Sequence, residues 1–402
     1  MVPASRHDSH FSALDSLLTE HLDLWQVRPF HSRTLCWAHS RPDLCAALLA
    51  LDEPTLGRLE RDGAALARWL QPWLGDHGDQ LLALARLPAL PARPLAIPER
   101  FATGIPGRKW AQIQAFAAVL PAEGCEVLEW CAGKGHLGRL LAVIDGRAVT
   151  SLEWQPALCR AGEQEAARTG VPVRFAEADA FAADSGSWLP AQGQAVALHA
   201  CGDLHIALMR HWVAGDCRRL TLSPCCYHLT RDDTYQPLST RALASALRLD
   251  KRDLQMPVQE AVTGGQRVQR QRRTELLWRL AFDEWQRERR GEDRYLPVPA
   301  FPKKLLSATF SDFCRWAAAA KGLAVPDAID PQHWLRRGEH RLALTRRMEL
   351  LGRPFRRPLE LWLVLDRVLF LEEHGARVRL GTFCPKPLTP RNILIDAEWP
   401  GN

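Results

Sequence analysis

Apolar residues fall on two different spacings along this chain, and the spacing divides it into sheet-forming and helix-forming stretches. Short apolar runs bounded by Gly, Pro, Asp or Ser occur at 126–130 (EVLEW), 148–154 (AVTSLEW), 171–181 (VPVRFAEADAF), 195–205 (AVALHACGDLH) and 218–229 (RRLTLSPCCYHL). Runs of that length and bounding predict buried strands. Between them lie amphipathic segments such as HLGRLLAVID, so the order is strand, helix, strand, which predicts an α/β domain on a parallel sheet. Elsewhere apolar residues recur three and four apart. Leu14, Leu17, Leu18 and Leu22 do so, as do Leu44, Leu48 and Leu51, so residues 1–95 read as a helical region. The proline-rich stretch 87–100 (LPALPARPLAIPER) reads as a linker.

After residue 228 the pattern changes. Residues 229–355 hold arginine-rich amphipathic segments with no clear strand. PLELWLVLDRVLFLEEHG (358–375) then predicts an apolar helix stopped at Gly375, followed by an alternating strand at 376–383, a proline-rich loop and a strand at 391–399. Two terminal strands need a sheet to join. The expectation is therefore a discontinuous α/β domain, 96–228 with 356–402, closed by an antiparallel pair into seven strands. A basic helical insertion, 229–355, would interrupt it.

The richest stretch is 126–138, EVLEWCAGKGHLG: a strand, a small-residue turn (Cys131, Ala132, Gly133, Lys134, Gly135) and a helix beginning at His136 and Leu137. Small residues let the backbone approach a ligand, and the helix start offers free N–H groups to it. Glu153 follows Gly133 by 20 residues, the spacing at which a strand-two acid reaches both hydroxyls of a ribose. Asp179 and Ala180, at the expected end of strand three, lie where an adenine amino group would be met. The turn also fits the GxGxxG spacing of a dinucleotide site. Acids at the tips of strands one, two and three, however, suit S-adenosylmethionine better, because its amino-acid end carries an ammonium and no pyrophosphate. Glu129, Cys131, Ala132, Gly133, Lys134, Gly135, His136, Leu137, Glu153, Trp154, Asp179, Ala180 and His199 are the expected cofactor residues. Lys109 is a further candidate, for the cofactor carboxylate.

Five motifs, GKGHL (133–137), LHACGDLH (198–205), SPCCYHL (223–229), LWLVLDRVLFLEEHG (361–375) and PRNILI (390–395), resemble one family across residues 105–400. It is the methyltransferase-like protein 25 group, which includes the glutathione S-transferase C-terminal-domain-containing proteins. A more distant likeness is to tRNA 2′-O-methyltransferases of the yeast Trm-thirteen kind. The resemblance implies a seven-stranded class I (Rossmann-like) methyltransferase sheet that binds S-adenosylmethionine through residues 129–137, Glu153, Asp179 and the surroundings of His199. The chain departs from the family at Cys131, usually glycine, and at Glu129, usually aspartate. The resemblance gives the donor and leaves the acceptor open.

His199, Cys201, Asp203, Cys225, Cys226, Tyr227 and His228 come from the ends of strands four and five, where the methyl group would be delivered. Three readings compete. In the preferred one, His228 or Asp203 takes a proton from an acceptor N or O as the methyl moves in. In the second, Cys225 or Cys226 is a covalent nucleophile. The third is zinc, which is disfavoured: there is no CxxC, and neighbouring cysteines rarely share one tetrahedral ion, so no metal is expected.

Composition narrows the partners. The chain is 47% hydrophobic and 24% charged, with no apolar run of membrane-spanning length and no secretory pattern in its first residues, so a cytoplasmic protein without membrane contact is expected. Eleven unevenly spaced cysteines do not form a disulfide framework. The net charge of +6 is concentrated: residues 251–402 hold 28 Lys and Arg against 19 Asp and Glu. A basic region at 251–357 with Trp278, Trp285, Trp316 and Trp334 among its arginines suggests RNA as partner and substrate, the tryptophans stacking on bases. A protein or small-molecule acceptor, or a non-catalytic scaffold, are the alternatives.

Overall fold

The computed structural model describes residues 5–99, 101–122, 124–259, 266–300, 302, 305, 308–324 and 329–400. The chain divides into two units: one of residues 1–19, 83–262 and 356–402, the other of residues 20–82 and 263–355.

The first unit is built on seven strands: β1 (Val127–Trp130), β2 (Val149–Glu153), β3 (Val173–Glu177), β4 (Gln194–Cys201), β5 (Arg219–Cys225), β6 (Arg377–Thr382) and β7 (Ile393–Glu398). Their order across the sheet is β3-β2-β1-β4-β5-β7-β6. The first five pair in parallel, and β7 runs antiparallel to both β5 and β6. Every residue of β1, β2 and β5 is buried, as expected of parallel strands covered by helices on both faces. The strand order reverses direction between β1 and β4, and ligands bind an open α/β sheet over the strand ends at such a point. This is the class I methyltransferase sheet.

The apolar helix Arg356–Glu373 is buried along nearly its whole length. Its polar residues are therefore bonded: Asp366 accepts from the backbone of Leu238 and Ser239 and from the hydroxyls of Ser239 and Tyr235, and Arg367 donates from Nε to His205 Nε2 at 2.8 Å. The stretch read as a linker does more than connect. Leu90 N donates to Thr382 O and Thr382 N to Pro88 O, both at 2.9 Å, so the proline-rich segment covers the edge strand β6. Gly381 permits this approach, since a Cβ there would stand 2.7 Å from Leu90.

The second unit is helical. Helices Gln266–Arg290, Phe310–Ala319 and Pro331–Gly352 belong to it, together with N-terminal helices such as Glu53–Arg61 and Gly63–Leu74. The N-terminal helices were expected to form a region of their own. Instead Arg346 pairs with Glu53 and Glu60, and Arg33 with Glu284, joining the two segments of this unit. Trp278, Trp285 and Trp334 lie in its apolar core with Phe282, Phe310 and Phe313, and Trp316 packs against them. These rings fill the core and are not the base-stacking surface their sequence positions suggested.

Candidate active site

Turn geometry after β1 sets the site. Cys131, Gly133 and Gly135 take left-handed backbone angles, φ 57°, 60° and 63°. Glycine adopts these freely, whereas Cys131 does so at a cost of about 1–2 kcal/mol. Gly135 is also sterically required, because a Cβ would meet Phe175 at 2.5 Å. The turn is held by the neighbouring strand: Ala132 N donates to Leu152 O, and Glu153 Oε2 accepts from Gly133 N, both at 2.9 Å. Glu153 Oε1 accepts from Gln155 N at 3.0 Å.

Glu129 is buried below this turn. Its Oε2 accepts from Gly138 N at 3.0 Å and from the Ser151 hydroxyl at 2.8 Å. Burial raises its pKa to about 7, against these two hydrogen bonds and the positive charges of Lys109 and Arg139. Burial likewise lowers the Lys109 amine. It also pushes His136 down to about 4, with Lys109, Arg139 and Lys134 adding to the effect, so His136 is neutral and its Nδ1 lies 2.8 Å from Arg139. Leu137 points into the core and Lys134 into solvent.

Beside the turn lies a cavity of about 670 Å³ lined by Cys131, Glu153, Trp154, Asp179, Phe181 and Leu204 among others. The position of Asp179 differs from the expected one: β3 ends at Glu177, and Asp179 sits in the following loop, where its Oδ1 accepts from Phe181 N at 2.9 Å. Ala180 is buried beside it. Trp154 is 69% exposed and Phe181 38%, unusual values for rings that have an apolar cavity next to them. Arg231 lies over Phe181, its guanidinium carbon 4.0 Å from the ring centre. The cavity wall holds Glu153, Glu177 and Asp179 and no Lys, Arg or His. Such a wall repels a pyrophosphate and suits a nucleoside that offers hydroxyls, an amino group and a sulfonium. The residues present fit S-adenosylmethionine.

Left-handed backbone recurs at the other strand ends. Apart from Gln192, the non-glycine residues with positive φ among those described are Cys131, His199 (69°) and Cys226 (48°), at the ends of β1, β4 and β5. Strain of this kind concentrates at functional sites. His199 lies 3.1 Å from Gln112 Oε1, and burial lowers its pKa. Cys201 Sγ is 3.5 Å from Cys225 Sγ. Cys225 is 2% exposed and its thiol is pushed far up, whereas Cys226 is pulled down by thiol hydrogen bonds from Cys201 and Cys225. Asp203 opens the helix after β4, and its Oδ2 accepts from Arg231 N at 2.8 Å, which ties it to the loop after β5. Gly202 allows this: a Cβ there would fall 1.9 Å from Leu229 O. His228 keeps its Nδ1 buried without a hydrogen-bond partner.

Gln112, Ser151, Phe181 and Arg231 were not anticipated. Ser151 alone carried a signal, as a small polar residue inside a buried strand.

Residues 108–233 match a family described as a methyltransferase domain. No curated protein matches the chain. Solved structures similar to it include a predicted O-methyltransferase from Agrobacterium tumefaciens, 17% identical over 28% of this chain and 60% of that one, TM-score 0.25. Others are an rRNA methylase from Streptococcus thermophilus, 14% identical over 30% and 72%, TM-score 0.23, and the magnesium protoporphyrin IX methyltransferase of Synechocystis with bound SAH, 15% identical over 39% and 71%, TM-score 0.25. The chain thus spans 60% of the first of these relatives' length. The sheet order and the matched domain are those of a methyltransferase domain, and the acid-lined cavity beside its turn fits S-adenosylmethionine.

Proposed function

We propose that the protein transfers the methyl group of S-adenosylmethionine to a nitrogen or oxygen of RNA, with tRNA and rRNA the first substrates to test. The likeness to the methyltransferase-like protein 25 group supports the donor assignment. The acceptor is argued from charge. The observation that carries it is the start of helix Gln266–Arg290, where Arg267, Arg270, Arg272 and Arg273 are exposed and without an ion-pair partner among the described residues. Arg267 lies in the first turn, at the positive end of the helix dipole, and Arg270 and Arg273 follow it at three-residue spacing, so these charges oppose the dipole and one another. A polyanion relieves both. Elsewhere in this unit Arg33, Arg287, Arg337 and Arg341 pair with Asp283, Glu284, Glu288 and Asp293.

In the cofactor pocket Glu153 would take the ribose hydroxyls, Asp179 the adenine amino group, and Trp154 a face of the base. Lys109 would face the cofactor carboxylate. Glu129 is already committed through Oε2 to Gly138 and Ser151, and Oε1 is what it can offer the ammonium. The acceptor enters over the ends of β4 and β5. His228, with an unpartnered ring nitrogen, accepts its proton as the methyl moves in line. Asp203 holds the Arg231 loop and acts through it. A nucleophilic Cys225 is disfavoured by its burial and raised pKa.

The test is binding of bulk tRNA across a salt series. Arg270→Glu with Arg273→Glu lowers affinity and cuts the salt slope by roughly two. Binding that ignores both salt and these substitutions overturns the RNA assignment.

A further inference from the structure

Adjacent cysteines at a strand end are a poor metal site for a simple reason. Successive side chains of an extended strand point to opposite faces, so Cys225 and Cys226 would look away from each other. Two local irregularities remove that obstacle here. Cys226 is left-handed, with φ 48°, which breaks the alternation and returns its sulfur to the side of Cys225. In β4 the pairing with β5 slips between Leu198 and Cys201, with His199 left-handed inside the slip, and this sets Cys201 directly opposite Cys225. Without the slip, Ala200 would stand there.

The result is a triangle of sulfurs. Sγ of Cys201, Cys225 and Cys226 all lie within 4.8 Å of one another, and the Cys201–Cys225 edge is 3.5 Å. Tetrahedral zinc with Zn–S bonds near 2.3 Å requires sulfur–sulfur edges of roughly 3.8 Å. One edge is thus close to that value and the other two are at most 4.8 Å, so side-chain adjustment alone would bring the three sulfurs onto one face of a zinc tetrahedron. Two residues with left-handed backbone, His199 within β4 and Cys226 just after β5, set the triangle. Strain of that kind persists where the surroundings demand it.

We infer that Cys201, Cys225 and Cys226 form a three-thiolate site for a divalent ion of the zinc class, with the fourth position open at the strand ends where the acceptor arrives. Binding releases the three thiol protons to solvent, and no redox change is involved. Three protein ligands with one open position is the arrangement of catalytic zinc rather than of a closed structural site. His228 does not belong to the sulfur cluster, so its ring nitrogen stays available to the acceptor.

The experiment is metal analysis of the full chain, expressed with zinc in the medium and purified without chelator. One zinc per chain is expected. Cys226→Ser and Cys201→Ser each lower it at least tenfold, while Cys314→Ser, in the core of the helical unit, leaves it unchanged. Circular dichroism confirms that each variant is folded. Cobalt substitution should give an intense thiolate-to-metal charge-transfer band that the Cys226→Ser variant lacks. Zinc-free protein with eleven titratable thiols overturns the proposal, and so does zinc-free protein two thiols short, which would mean a Cys201–Cys225 disulfide. Because the readout is metal content, the result is independent of whether RNA is the acceptor.

Discussion

Gly138 and Glu129 are built around one oxygen. Glu129 Oε2 accepts from Gly138 N at 3.0 Å, and a Cβ on Gly138 would stand 2.6 Å from that same atom, with Val149 and Ser151 closing the other sides. The helix start is thereby pressed onto β1 and β2, which fixes where the cofactor turn lies. Gly138→Ala should destabilise the chain by about 2 kcal/mol through overpacking of a site with no room to yield. Urea unfolding measures it, and an unchanged midpoint would contradict the packing described.

Glu129 also makes a pH prediction. Its folded pKa, about 7, lies above the ordinary 4.5, so the folded chain holds this proton more tightly than the unfolded one. The stabilising contribution is full below pH 4.5 and fades as pH rises to 7. Its size is on the order of 3 kcal/mol. Stability of the cofactor-free protein, compared with Glu129→Gln across that range, should show a decline only in the parent. Parallel curves would refute the buried, perturbed carboxyl.

Trp154 gives a cleaner test of the adenine pocket. Because its ring is mostly exposed, Trp154→Ala should leave stability within about 0.5 kcal/mol. Loss of stacking, worth roughly 1–3 kcal/mol per base, should weaken S-adenosylmethionine at least fivefold. Calorimetric titration reads the affinity. Equal affinity in both proteins would move the base elsewhere in the cavity.

Cys131 stands where the left-handed turn prefers glycine. Cys131→Gly should relieve strain and raise stability by up to about 1 kcal/mol while cofactor binding persists. A loss of stability would mean that the thiol packs better than its backbone suffers.

The sequence was most legible where the signal is local. Apolar runs located the starts of the seven strands to within two residues but overran the ends of β3, β4 and β5 by four, and the spacing from Gly133 to Glu153 found a carboxylate that does meet the turn, at the amide of Gly133 itself. Pairings between distant segments were hidden. Nothing in the spacing of Leu44, Leu48 and Leu51 says that residues 20–82 pack with 263–355, because an amphipathic face does not name its partner. Trp278 and Trp285 among arginines look like a stacking surface until the helix is seen to be buried on every side from Leu280 to Arg287, with its exposed arginines toward its ends. Asp179 was read as a strand end because an apolar run does not mark where pairing stops. Least legible were the left-handed angles at His199 and Cys226, since neither is glycine and no residue pattern announces them. Those two angles decide the geometry of the sulfur cluster.

The most direct test of the whole account is transfer of label from methyl-tritiated S-adenosylmethionine by the purified protein. The mixture would hold RNA, protein and small-molecule fractions from cells lacking the gene. The account predicts label in RNA, reduced at least tenfold by Glu153→Gln in a protein that remains folded. Label in the protein or small-molecule fraction instead, or none in any fraction despite tight cofactor binding, would contradict it.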